Sequence, residues 1–107
     1  MTEQPLPKPG GRPVTPEVRR LLDEREAKGI ATYGRPLETE NGRSFLQDLT
    51  EELADGLQYA VGLRMELEEV WKDAKSAQTF ALSLPHTTKM LLDRAVERIE
   101  VILGKAE

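Results

Sequence analysis

Residues 44–75 read SFLQDLTEELADGLQYAVGLRMELEEVWKDAK, and their periodicity decides the fold. Leu46, Leu49, Leu53, Leu57, Ala60, Val61, Leu67 and Trp71 recur at the spacing of one helix face, which predicts a single long helix with a main apolar stripe. Ser44 and Gln47 stand three apart at its start, as in a capping box. Phe45, Gly56, Leu63 and Val70 form a second apolar strip beside the first. An arc this wide packs against more than one neighbour, and the chain offers only two other helical segments, so oligomerisation is expected. Arg64 falls inside the stripe, where it either snorkels at an edge or pairs with a buried carboxylate. Trp71 reads as a core or interface anchor.

Outward from this helix the punctuation changes. Upstream, residues 1–14 (MTEQPLPKPGGRPV) hold four prolines and two adjacent glycines and read as a flexible, mildly basic arm, leaving residues 15–107 as one helical domain. Thr15 followed by Pro16 and Glu17 predicts a helix start, with Thr15 as the N-cap and Lys28-Gly29 as the end. Val18, Leu21, Leu22 and Arg25 share one face of this short helix, which needs a partner surface to be stable. Residues 30–43 (IATYGRPLETENGR) then read as a long connection with turn signals at Gly34, Pro36 and Asn41-Gly42. Downstream, residues 76–85 break the helical pattern. A third helix is expected from His86 to Leu103, with Leu92, Ala95, Val96, Ile99, Ile102 and Leu103 on one side and Gly104 ending it. The fold class expected is therefore all-α: a three-helix protomer with one long central helix, assembling into an oligomeric helical bundle.

Composition narrows the function classes. The chain has 107 residues, no cysteine and a net charge of −4. Disulfides, thiol chemistry and zinc–thiolate sites are excluded. Phosphate backbones demand a basic surface, so nucleic acid is not an expected partner. No apolar run reaches the length of a membrane span and the N-terminal residues lack the apolar centre of a signal peptide, so a cytoplasmic protein is expected. His86 is the only histidine, which rules out a Ser/His/Asp triad built around any other, and it reads as a surface or capping residue. There is no P-loop and no G-x-G-x-x-G.

The carboxylates carry the chemical signal. At 100° per residue, Asp48, Glu52 and Asp55 fall within about 60° of one another on the long helix, with Tyr59 one turn later. Glu51 points elsewhere, toward water. Like charges three and four apart repel by a few tenths of a kcal/mol per pair, and a solvated helix face normally interleaves Lys or Arg. None occurs from residue 44 to 63. A ridge of this kind suits a hard cation such as Mg²⁺, which takes oxygen ligands. The competing reading is a solvated face, since the helix dipole favours acids in the first turns and accounts for Asp48 and Glu51. Asp23 and Glu26 form a second pair, also three apart, on the first helix. If the two helices packed antiparallel, both pairs would converge, as in helical bundles that bind metal through inward carboxylates. Alone, Asp23 and Glu26 read as the solvated side of that helix.

Together these residues resemble the all-α NTP pyrophosphohydrolases of the MazG type. That family carries E-x-x-E on one helix and E-x-x-D on the next. Here Glu52-Leu53-Ala54-Asp55, inside EELADGLQYA, matches the second half, and Asp23-Glu24-Arg25-Glu26 matches the first with Asp in place of Glu. KGIATYG (28–34), followed by NGR and the DLTEEL helix, is also similar to small phage-encoded proteins grouped with that family. The resemblance spans roughly residues 17–72. It implies Mg²⁺-dependent hydrolysis of a nucleoside triphosphate to the monophosphate and pyrophosphate by a homodimer or homotetramer, in the host cytoplasm if the protein is phage-encoded. Glu52 and Asp55 would be catalytic metal ligands, with Glu26 and Asp23 completing the shell. Lys28, Arg35 or Arg43 would steady the triphosphate, and Tyr33 or Tyr59 would stack on the base. The alternative is a non-catalytic helical oligomeric module that binds a nucleotide or a host protein, and a third is a structural oligomer.

Overall fold

The computed structural model describes residues 4–105. It is all-helical, with no strand among the described residues: α1 Thr15–Tyr33, α2 Phe45–Thr79, a single 3₁₀ turn at Ala81–Ser83, and α3 His86–Ile102. None of these helices is long and apolar enough to cross a membrane. The chain divides into two compact units, residues 1–43 and 44–107.

In the first unit, residues 4–14 are irregular and α1 follows. Val14, not Thr15, occupies the N-cap, no side chain caps it, and Thr15 is already helical beside Pro16. At the other end α1 runs through Gly29 and stops at Gly34, which takes φ 79° while its N–H donates to the Ile30 carbonyl at 2.7 Å. This is the αL form of C-cap. The expected stop at Gly29 is thus displaced by one and a half turns. A mid-helix glycine costs about 1 kcal/mol, and Ile30-Ala31-Thr32 continue the helix past it. Pro36, just beyond Gly34, bars further continuation. Tyr33 is therefore the last residue of a helix rather than part of a loop. No residue of α1 is buried, and its Val18, Leu21 and Leu22 face is exposed.

The second unit is a helical hairpin. Ser44 caps α2 as expected: its Oγ accepts from the Gln47 backbone N–H at 3.1 Å. The helix then continues four residues beyond the expected Lys75, because Ser76-Ala77-Gln78-Thr79 contain neither Pro nor Gly. After Phe80 and the 3₁₀ turn, Pro85 starts α3. Four cross-links fix an antiparallel alignment. Gln78 Nε2 donates to Asp93 Oδ1 at 2.8 Å, Trp71 Nε1 donates to Glu100 Oε2 at 3.2 Å, Lys105 Nζ lies 3.4 Å from Glu68 Oε2, and Arg64 Nη2 donates to the Leu103 carbonyl at 3.1 Å. Lys105 also sits 4.5 Å over the Trp71 ring, a cation–π contact. α3 closes in a Schellman motif: Gly104 takes φ 72°, its N–H donates to Val101, and the Lys105 N–H donates to Glu100.

Among the described residues, the fully buried positions all lie in this hairpin. Ala81, Val96 and Leu103 are the buried apolar residues, and Leu67, Trp71, Leu92 and Ile99 are half-buried around them. Ile102 and Ala95, expected on the inner side of α3, are exposed. The larger correction concerns α2. Its expected core stripe is covered only in the C-terminal half, because α3 has 17 residues against the 35 of α2. Leu46, Leu49, Leu53 and Leu57 remain 54% to 76% exposed. Arg64 is exposed, in keeping with the snorkelling alternative, and it meets a backbone carbonyl at the end of α3 where the other alternative expected a buried carboxylate.

Candidate functional site

The candidate residues fall into two groups, one in each unit. In the first unit, Tyr33, Arg35 and Arg43 line a cleft of about 670 Å³ formed by the end of α1 and residues 35–43. Local sequence builds its wall. The αL residue Gly34 ends the helix, the chain bends at residues 34–35, and Pro36 follows in irregular chain. Glu40 at φ 56° and Gly42 at φ 86° bend it again, and the Arg43 N–H donates to Asn41 Oδ1 at 3.0 Å, an Asx-type turn. The cleft has mixed charge, since Glu38 and Glu40 also line it and Arg35 Nε lies 3.3 Å from Glu38 Oε1. Both members of that pair are well exposed, so the link is weak and Arg35 is available to a ligand. An aromatic ring beside two guanidinium groups can hold a planar, anionic ligand.

Lys28 lies in an adjoining shallow depression with Arg25, Thr32 and Tyr33. Sequence reading missed Arg25 there, having assigned it to the apolar face with Val18 and Leu21. The signal was present in the spacing: Arg25, Lys28 and Thr32 stand three and four apart and share one side of α1. Asp23 and Glu26 are exposed on the same helix and take no ion pair or hydrogen bond within residues 4–43. The neighbouring Arg20 is held by Glu17 at 3.1 Å and by Glu24.

The second unit carries the other group. Glu52 and Asp55 are exposed on the first half of α2 and have no ion pair or hydrogen bond within residues 44–105. Asp48 is half-buried one turn earlier, and Tyr59 is exposed one turn later. Glu51 leaves the ridge and accepts from Gln47 Nε2 at 3.3 Å. The donor set, oxygen carboxylates on exposed helix, has the right chemistry for a hard cation. Neither unit by itself, among the described residues, gathers three acidic or histidine side chains closely enough to enclose one. The structure thus brings Tyr33, Arg35 and Arg43 to one cleft and sets Lys28 beside it, and it keeps Tyr59, Glu52 and Asp55 in the other unit. His86 begins α3 and is exposed, as its surface reading requires.

No protein-family model, curated protein or solved structure matches the chain.

Proposed function

We propose that the protein is a Mg²⁺-dependent nucleoside triphosphate pyrophosphohydrolase that works as a homodimer or homotetramer. The observation that carries this reading is the Glu52–Asp55 pair: two exposed carboxylates on one helical face, with no cation paired to them in their unit and no Lys or Arg on α2 before Arg64. Two such carboxylates would supply two of the six oxygen ligands that an octahedral Mg²⁺ takes. When bound, the ion would offset the negative charge of the phosphates. The chain's own contribution would be to hold the nucleotide. Tyr33 would stack on the base while Arg35 and Arg43 grip phosphate oxygens through paired N–H donors. Lys28 supplies a further positive charge beside them, and Tyr59 is the remaining stacking candidate.

A non-catalytic nucleotide- or protein-binding module is the second reading. It is favoured by Asp23 standing where the family's first motif has Glu, and by the absence, among the described residues of either unit, of three acidic ligands close together. Release of pyrophosphate from a panel of NTPs and dNTPs with Mg²⁺ separates the two. The enzyme reading expects release by the wild type and none by Glu52→Gln with helicity unchanged. Equal turnover by Glu52→Gln would remove that carboxylate from the site. Nucleotide binding without release would favour the second reading.

A further inference from the structure

Asn41 is the only asparagine of the chain, and a glycine follows it. It lines the cleft beside Glu40 and Arg43. An Asn-Gly pair is ordinary turn chemistry. It is also a pair in which the backbone can attack the preceding side chain, because glycine puts no Cβ beside the attacking amide nitrogen.

Three features of the fold leave this attack open. Both residues are exposed, and apart from its chain neighbours no atom lies within 4 Å of where a Gly42 side chain would start. The Gly42 N–H donates to no partner among the described residues, so no hydrogen bond has to break before the nitrogen reacts. Asn41 Oδ1 accepts from the Arg43 N–H at 3.0 Å. The ring closed by that bond contains both Asn41 Cγ and the Gly42 nitrogen, so one turn holds electrophile and nucleophile together. The same N–H faces the oxygen on which negative charge grows as Cγ becomes tetrahedral, as an oxyanion donor does. Asp55-Gly56 is the contrasting pair. It could close the same imide ring with loss of water, but it lies inside α2, where the Gly56 N–H belongs to the helix ladder.

We infer that Asn41 is a site of spontaneous modification, converting in the folded protein to aspartate and isoaspartate through a succinimide formed with Gly42. The Gly42 nitrogen gives up its proton to solvent base and attacks Asn41 Cγ. The N–Cγ bond forms, the Cγ–Nδ2 bond breaks, and Nδ2 takes a proton from water and leaves as ammonia. Water then adds to one of the two ring carbonyls. Opening at Cγ gives aspartate, and opening at the main-chain carbonyl gives isoaspartate, whose chain runs through Cβ. Water is the only co-reactant, and nothing is oxidised or reduced. Either product puts a further carboxylate on a wall that already carries Glu38 and Glu40 beside Arg35 and Arg43. Isoaspartate also lengthens by one atom the turn between Glu40 at φ 56° and Gly42 at φ 86°. The cleft therefore loses attraction for an anion as the molecule ages. The modification does not rest on the enzymatic reading; only its consequence for nucleotide does.

Full-length protein is incubated in mildly alkaline buffer, folded and in urea. Residues 41 and 55 are followed by peptide mass mapping and by enzymatic methylation of isoaspartate. Both products should accumulate at position 41 in the folded protein, at a rate no lower than in urea, while position 55 gains isoaspartate only in urea. Asn41→Gln, which would need a larger ring, should stay intact. An unmodified position 41 in the folded protein, with reaction in urea, overturns the inference. Equal isoaspartate at positions 41 and 55 in the folded protein also overturns it. Calorimetric titration with ATP in the absence of Mg²⁺ reads the consequence. Asn41→Asp should bind about fivefold more weakly than wild type, the size of one added like charge near phosphate at high effective dielectric. Equal affinity would refute the effect on the cleft. Binding by neither protein would count against the nucleotide reading and leave the modification standing on its own result.

Discussion

Replacing Arg64 with methionine removes the clamp at the open end of the α2–α3 hairpin and leaves the rest of the seam in place. The guanidinium donates to the Leu103 carbonyl at 3.1 Å, and Leu103 is only 3% exposed. A carbonyl this close to a helix end has no intrahelical partner. A hydrogen bond from a charged donor is worth about 1.5–3 kcal/mol net. Arg64 is itself exposed, so the low end of that range applies. A cation at a helix C-terminus adds about 0.3 kcal/mol. Methionine keeps an apolar stem along the stripe, which limits the loss of packing. The expected destabilisation is about 1.5–2 kcal/mol, and for a unit of this size 1 kcal/mol lowers Tm by about 4–8 °C. Urea unfolding followed by Trp71 fluorescence is the assay, because this is the only tryptophan and it sits in the seam. Protein concentration has to be held fixed, since association shifts apparent stability. Arg64→Lys, with one ammonium in place of the fork, should recover part of the loss. An unchanged urea midpoint for Arg64→Met would refute the clamp.

Three further outcomes are expected. Ser44→Ala removes the cap on Gln47 and should cost about 1 kcal/mol, with Ser44→Thr close to wild type in urea unfolding followed by far-UV circular dichroism. Gly34→Ala puts a side chain at φ 79° and should destabilise the end of α1 by about 1 kcal/mol, seen as faster amide exchange at Ile30–Tyr33 than in wild type. Addition of Mg²⁺ should raise the Tm of the wild type and not that of Glu52→Gln/Asp55→Asn. Equal shifts in both would remove the ridge as the binding site.

Most of the helical fold was legible because its signals are local. The 3.6-residue period of Leu46 to Trp71, the Ser44 cap and Gly104 after α3 each act over a few residues, and each has its expected place. The ends that moved had two competing signals. Gly29 and Gly34 can both terminate α1, and the choice falls on the one followed by Pro36. Ser76 to Thr79 lose the apolar pattern without losing helix propensity, so α2 continues. Coverage was not legible. Periodicity marks which face of α2 is apolar, but α3 reaches only half its length, and Leu46 and Leu53 look the same in sequence as Leu67. Arg64 was identified as an anomaly in the stripe. Its partner is a backbone carbonyl, and residue patterns carry no information about which carbonyl will be free. The candidate site divides the same way. Tyr33, Arg35 and Arg43 lie within eleven residues of one another and reach one cleft through local turns, whereas any meeting of Asp23 and Glu26 with Glu52 and Asp55 depends on tertiary or quaternary geometry.

The first half of α2 shows why coverage matters to function. A helix of this length is marginal in water without tertiary packing. This one carries like-charge pairs at Asp48–Glu52, Glu51–Asp55 and Glu52–Asp55, each unfavourable by about 0.2–0.5 kcal/mol, while its leucines are exposed. The Ser44 cap offsets part of that. Burial of the Leu46–Ala60 stripe by a partner surface, and binding of a cation on the Glu52–Asp55 ridge, would each offset more of it. On the helical wheel Asp55 lies about 160° from Leu53 whereas Glu52 stands about 60° from Leu49, at the flank of the stripe, so a surface that covered the stripe would leave Asp55 open to solvent and border Glu52. Covering the stripe would therefore hold straight the helix segment that presents the acidic pair. The residues that test the two roles are separate: Leu53 reads assembly, and Glu52 reads metal and nucleotide. Loss of one with the other retained would assign each face to its own task.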